Sequence, residues 1–138
     1  MQADRFTIKS QEALRSAIDL AATARHSQVQ PEHLLAVLLD QDDSVVPGVL
    51  RKLGVAVEGL RGQVRAALDA LPTLGSAAEP TTAPELMQVL RASEHEMREL
   101  KDEYVSTEHL LLSLAGHNSK AGEALRAAGA SKDWPSAS

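Results

Sequence analysis

The chain matches itself at long range. Val29-Gln-Pro-Glu-His-Leu-Leu-Ala-Val-Leu38 aligns with Val105-Ser-Thr-Glu-His-Leu-Leu-Leu-Ser-Leu114 at an offset of 76 residues (105 − 29). The identical pairs are Val29/Val105, Glu32/Glu108, His33/His109, Leu34/Leu110, Leu35/Leu111 and Leu38/Leu114. The same offset carries Leu14 onto Leu90, Ala17 onto Ser93, Ala21 onto Met97 and Ala24 onto Leu100. After a slip of one residue, Leu50-Arg-Lys-Leu-Gly54 falls on Leu125-Arg-Ala-Ala-Gly129. Leucine-rich helices resemble one another by chance, but chance does not hold register across three elements with Glu-His in step. The expectation is a duplicated unit whose copies pack about a pseudo-twofold axis.

Each copy reads as helices. Leu14, Ala17, Ile18, Ala21 and Ala24 recur at the 3.6-residue period, predicting a helix from about Ile8 to Arg25 with Thr7 as its N-cap. Pro31 suits a first helical turn, and Leu34, Leu35, Val37, Leu38 and Leu39 are too many for one face, so that helix is expected to be central. A third helix is predicted over about Ser44 to Leu53, closed by Gly54, and a fourth carries Val57, Leu60, Val64, Ala67, Leu68 and Leu71. Residues 72–82 shift to Pro, Thr, Gly, Ser and Ala and read as a linker. Thr82-Ala-Pro-Glu85 then reads as a capping box for a fifth helix with Leu86, Leu90, Ser93, Met97 and Leu100 on one stripe. A sixth opens near Ser106, and a seventh runs over about Ser119 to Ala128 before Gly129. β-branched alternation is nowhere convincing, so the fold class is all-α. The division is one domain over 1–138, with repeat one at 5–71, repeat two at 83–130 and a polar tail at 131–138. That tail is too short and polar for the fourth helix that repeat two lacks.

Composition removes several function classes. Lys plus Arg number 14 and Asp plus Glu 19, a net charge of −5, which opposes a nucleic-acid surface or a helix-turn-helix regulator. Aromatic residues make up 2%, too few for base-stacking platforms or methyl-lysine cages. Without cysteine there is no thiol nucleophile, Cys-zinc site or disulfide scaffold. No Gly-x-x-x-x-Gly-Lys-Ser/Thr phosphate loop and no His-Glu-x-x-His motif occurs, so neither nucleotide nor metal chemistry is expected of these residues. No leader-like segment or apolar run of about 20 residues stands out, and the expectation is a soluble cytoplasmic domain without membrane contact.

The residues then point to a family. Arg5-Phe-Thr-Ile-Lys-Ser-Gln-Glu-Ala-Leu14, Pro31-Glu-His-Leu-Leu35 and Lys101-Asp-Glu-Tyr-Val-Ser-Thr-Glu-His-Leu-Leu-Leu112 resemble the N-terminal domain of Clp-type AAA+ unfoldases, over about residues 5–130. The Asp-Glu-Tyr-Val-Ser-Thr-Glu-His run is most similar to the ClpB disaggregase group; ClpC-type sequences usually carry Gly where Ser106 stands. The resemblance implies a mobile substrate-recognition module, itself without catalytic residues or cofactor. Its parent would be a hexameric ATPase, with ATP and Mg in other modules, threading aggregated polypeptide in concert with the DnaK chaperone system. The isolated domain is expected to be a monomer. A free-standing Clp-repeat adaptor for a Clp protease is the alternative.

Thr7, Asp102 and Glu108 resemble polar positions around the substrate groove of the ClpB group. Each has a plain structural reading as well: Thr7 as an N-cap, the two acids as charges favoured near a helix start by roughly 0.3–1 kcal/mol. Leu90, Tyr104 and Val105 are candidates for an apolar groove floor that holds exposed segments of unfolded protein weakly and promiscuously. Leu90 equally reads as core. Glu32 and Glu108 are repeat mates, and in ClpC relatives such glutamates belong to phosphoarginine sites; here Gln30-Pro31 stands where Gly-Thr usually precedes the first. His26, His33, His95, His109 and His117 read as solvated or structurally hydrogen-bonded, because Glu32-His33 and Glu108-His109 are neighbours that diverge on a helix.

Overall fold

Apolar residues at helical spacing pair off into seven α-helices in a computed structural model that describes residues 3–41, 43–77 and 79–131. After a short 3-10 turn at Ala3–Arg5 come α1 (Ile8–Thr23), α2 (Pro31–Asp40), α3 (Val46–Lys52) and α4 (Val57–Asp69), then α5 (Pro84–Glu99), α6 (Thr107–Ala115) and α7 (Lys120–Ala127). The tail from Lys132 onward lies outside the described residues. α2 and its repeat mate α6 form the centre, the first as its leucine density predicts. Leu34, Leu35, Leu38 and Leu39 of the first are at most 1% exposed, and Leu110, Leu111 and Leu114 of the second are fully buried.

The pseudo-twofold relation is visible in the backbone. Two short segments pair in parallel, β1 (Gln28–Val29) with β2 (Thr81–Thr82), placing Val29 opposite Thr82. A separate parallel bridge joins Phe6 to Val105. Shifted by the offset, Phe6 becomes Thr82 (6 + 76) and Val105 becomes Val29 (105 − 76), so the repeat operation exchanges the two bridges. Their hydrogen bonds follow: Thr7 N donates to Val105 O at 3.0 Å, and its mate Ala83 N to Val29 O at 3.1 Å. The helix ends match as well. Arg25 and Lys101, mates across the offset, both take a left-handed φ near 60° after α1 and α5, and the following amides close back onto Ala21 O and Met97 O at 2.9 Å.

Two expectations need correction. The Thr82–Glu85 capping box does not form: the N-cap of α5 is Ala83, without a side-chain cap. Thr82 is held instead in the pairing with Val29, which fixes its backbone before the helix begins. The helices also end short of their apolar periodicity, α1 at Thr23 rather than Arg25 and α4 at Asp69 rather than Leu71, and α3 begins at Val46, two residues after Ser44. Ser44 Oγ accepts from Val46 N at 3.1 Å, a local turn that delays the helix. The fold class is all-α as expected, and the two-residue segments β1 and β2 only tie the repeats together.

Candidate functional site

Burial of one face each by α1 and α5 leaves an apolar cavity of about 370 Å³ between them. Its lining contains three repeat-mate pairs, Phe6/Thr82, Gln11/Met87 and Leu14/Leu90, so the cavity lies across the pseudo-twofold axis. Ile18, which is 42% exposed, opens it to solvent. The single charged side chain in the lining is Arg15, with no hydrogen-bond or ion-pair partner among the described residues. Leu90, read from the sequence as groove or core, is only 6% exposed and lines the cavity. The other lining residues escaped sequence reasoning. The signal for them was the symmetry itself, because mate stripes on α1 and α5 must meet at the axis.

The remaining predicted site residues gather around the Phe6–Val105 bridge. Thr7 is the N-cap of α1, its hydroxyl oxygen accepting from Ser10 N at 3.1 Å. Val105 is fully buried, and its carbonyl accepts from Thr7 N and from Ser10 Oγ at 2.9 Å, so it fixes the site without facing solvent. Tyr104 next to it is 51% exposed and Ile8 is 76% exposed. Asp102 has a half-exposed carboxylate. Glu108 is exposed in the first turn of α6, with no partner among the described residues. Phe6 connects this rim to the cavity, pairing with Val105 through its backbone and lining the cavity with its side chain.

Glu32, the mate of Glu108, is only 6% exposed, and its Oε2 accepts from Ala121 N at 3.2 Å at the start of α7. Burial pushes its carboxyl pKa up, and the bond from Ala121 opposes that shift. The carboxylate is turned into the fold.

His33 and His109 both occupy the third helical position and both close the helix start behind them. His33 Nδ1 accepts from Gln30 N and His109 Nδ1 from Ser106 N, each at 2.8 Å. With Nδ1 accepting, the neutral ring carries its proton on Nε2. That proton goes from His33 to His26 Nδ1 at 2.8 Å, and from His109 to Asp102 Oδ2 at 2.7 Å. His26 and Asp102 are themselves mates (26 + 76). Burial and the neighbouring His26 lower the His33 pKa to about 4. Ser106 Oγ lies 3.0 Å from His109 Nδ1, so Ser106, His109 and Asp102 include the residue types of a hydrolytic triad. The ring faces the wrong way for a general base, since Nδ1 already receives a backbone N–H, and the hydroxyl oxygen accepts from His109 N at 3.4 Å. Repeat one keeps the frame with Gln30 in place of the hydroxyl, as a helix cap requires and a nucleophile does not. Of the other histidines, His95 pairs with Glu99 on the surface and His117 with Gln88. Among the described residues no group of three or more His, Asp or Glu is placed to hold a metal ion, and no helix is long and apolar enough to cross a membrane.

Comparison with known proteins gives the geometry a context. Residues 5–128 match the family described as the Clp repeat (R) N-terminal domain. The chaperone protein ClpB of Porphyromonas gingivalis is 37% identical over 134 residues, covering 96% of this chain and 15% of that protein. ClpB of Corynebacterium diphtheriae is 39% identical over 129 residues, covering 92% and 15%. The chain thus spans about 15% of the length of these relatives. Among solved structures, the Hsp104 N-terminal domain of Candida albicans superposes with a TM-score of 0.82 at 23% identity, over 93% of this chain and 84% of that one. A ClpV N-domain in complex with a VipB peptide superposes at 0.73 and 24% identity, over 95% and 85%.

Proposed function

This chain belongs to the Clp repeat N-terminal domain family, and on that premise we propose that it is the substrate-recognition domain of a ClpB-type disaggregase, binding unfolded or aggregated polypeptide. The observation that carries the reading is the open apolar cavity between α1 and α5, walled by Leu14, Leu86, Met87 and Leu90. An unfolded chain exposes apolar segments, and a shallow apolar wall without a dense array of polar partners holds many such segments weakly. Tyr104 and Ile8 extend the apolar surface beside it, with Thr7, Asp102 and Glu108 as its polar rim. The solved ClpV N-domain with a peptide gives precedent for the same fold holding polypeptide. In this reading the domain does no chemistry. ATP and Mg belong to the AAA+ modules of a hexameric, cytoplasmic parent that works with the DnaK system.

The alternative of a ClpC-like or free-standing adaptor that binds phosphoarginine has one open carboxylate, Glu108, while its mate Glu32 is engaged with α7. Two equivalent sites would need both.

Titration with a permanently unfolded protein, followed through backbone amide shifts, tests the proposal. Shifts are expected at Ile18, Met87 and Leu90, with smaller ones at Tyr104 and Glu108. Ile18→Asp, at a half-exposed position that leaves the core intact, is expected to weaken binding about tenfold, the value of withdrawing roughly one apolar contact patch. Shifts confined to α4 and α7 overturn the reading.

A further inference from the structure

The turns that follow α1 and α5 have the same backbone and different neighbours. Arg25 and Lys101 share the left-handed φ, and the next amide in each turn closes at 2.9 Å onto Ala21 O or Met97 O. In repeat one, linker residues 71–75 lie across that turn. Leu71 and Pro72 wall a cavity with His26, Ser27, Gln28 and Gln30, and Thr73 lines a second cavity with Ala24 and His26. Two hydrogen bonds set the register: Leu74 N donates to Arg25 O at 2.8 Å, and Arg25 Nη1 to Gly75 O at 3.3 Å.

Repeat two presents the mate turn uncovered. The mates of Ala24, His26 and Gln28 are Leu100, Asp102 and Tyr104, and all three have half-exposed side chains. Lys101 O, the mate of the carbonyl that holds the linker, accepts no hydrogen bond from any described residue. The charge differs as well. Asp102 and Glu103 replace His26 and Ser27, and Lys101 is the one lysine or arginine between Leu100 and Leu110. Asp102 is engaged by His109, while Glu103 is exposed and has no ion-pair partner among the described residues.

We infer that residues 100–104 form a second docking surface, which takes a short non-helical polypeptide segment in the way that repeat one takes its own linker. The segment donates a backbone N–H to Lys101 O and lays leucine and proline against Leu100 and Tyr104. It brings a lysine or arginine to Asp102 and Glu103, because carboxylates stand where repeat one offers a histidine and a serine to the uncharged Thr73. Water satisfies the open carbonyl in the free protein, so docking gains only the net value of one hydrogen bond and a small apolar contact, and it is weak. None of these residues lines the α1/α5 cavity. The inference thus goes beyond the reading above, in which Tyr104 and Asp102 serve only beside that cavity.

The probe is a synthetic peptide in the linker's order of leucine, proline, one variable residue, leucine and glycine, with lysine at the variable place and both ends blocked. Titrated into the full chain, it is expected to shift the amides of Lys101, Asp102, Glu103 and Tyr104 and to leave those of Ile18 and Met87 in place. N-methylation of the second leucine removes the N–H that corresponds to Leu74 N and is expected to weaken binding about fivefold. Glutamate in place of the peptide's lysine, or Glu103→Gln in the protein, is expected to weaken it about two- to fivefold, as suits an exposed ion pair. Equal affinity of the N-methylated peptide overturns the linker-like mode. Equal affinity of the glutamate peptide overturns the preference for a cation. Shifts at residues 25–28, where the peptide would have displaced the linker, overturn the surface itself, and so does the absence of shifts at millimolar peptide. Shifts at Ile18, Met87 and Leu90 alone also overturn it, while supporting the cavity as the polypeptide site.

Discussion

The two copies of the helix-start motif share their backbone frame and the Glu-His-Leu-Leu run, yet the glutamate is buried in one and exposed in the other. In repeat two, Asp102, Tyr104 and Glu108 face solvent around a buried Val105. Their mates in repeat one are His26, Gln28, Glu32 and Val29. His26 is 6% exposed and lies in a cavity of about 230 Å³ closed on one side by Leu71 and Pro72 at the start of the linker. The linker is tied down there, with Leu74 N donating to Arg25 O at 2.8 Å and Arg25 Nη1 to Gly75 O at 3.3 Å. Glu32 is covered by α7. One backbone frame thus gives a copy whose glutamate is covered by α7 and a copy whose glutamate stands in solvent. What covers each copy comes from elsewhere in the chain, not from the motif.

The largest expected effect lies in α7, the helix whose Ala121 covers Glu32. Gly122 of α7 has no room for a side chain: a Cβ there runs into the His117 carbonyl oxygen and lies 2.8 Å from Leu114 O. Both neighbours are backbone and cannot turn aside. Gly122→Ala is expected to cost about 3 kcal/mol or more in urea denaturation, and a change below about 1 kcal/mol shows that α7 shifts easily and that the seal over Glu32 is loose.

Acid comes next. The folded His33 pKa of about 4 lies below its ordinary 6.5, so between those values the unfolded chain binds the additional proton. The stability held by the neutral ring is present above pH 6.5 and is lost as pH falls toward 4, on the order of 3 kcal/mol if this residue acts alone. Glu32 acts in the opposite sense: its raised pKa means that stability falls as pH rises through its titration, above the ordinary carboxyl value. Comparing Glu32→Gln with Glu32→Gln/His33→Gln isolates the histidine. Urea midpoints from pH 7 to 4.5 are expected to fall more steeply in the first, and parallel profiles break the link between the His26–His33 pair and acid sensitivity.

Asp102→Ala removes the acceptor of the His109 Nε2–H from the open copy and is expected to cost about 1 kcal/mol, since the half-exposed carboxylate can be replaced there by water. The imidazole proton signal of His109 reports the loss directly. A cost near that of a buried-pair deletion, about 3 kcal/mol, makes the open copy as structural as the closed one.

The smallest effects sharpen the contrast between the two glutamates. Glu32→Gln keeps an acceptor for Ala121 N while removing a charge that burial disfavours, and is expected to stabilise the chain at pH 7 by up to about 1 kcal/mol. Glu108→Gln is expected to leave the thermal midpoint unchanged and to alter only the amide shifts induced by unfolded protein. Equal effects of the two on stability erase the distinction between the copies.

Much of this architecture was written in local sequence. The offset of 76 fixed which helices correspond, leucine density placed α2 at the centre, and Thr7, Pro31 and Ser106 marked helix starts, because caps and apolar periods act over a few residues. The failed Thr82 cap shows the limit of that reach: pairing with Val29, distant in sequence, overrode a local signal. Glu32 and Glu108 show it more sharply, since each precedes the same His-Leu-Leu. Only tertiary packing put α7 over one and left the other in water, and only the meeting of α1 with α5 across the axis made a cavity from residues that each helix alone presents as an ordinary apolar stripe. Exposure is a property of what arrives from elsewhere in the chain, and no window of sequence around a residue contains it.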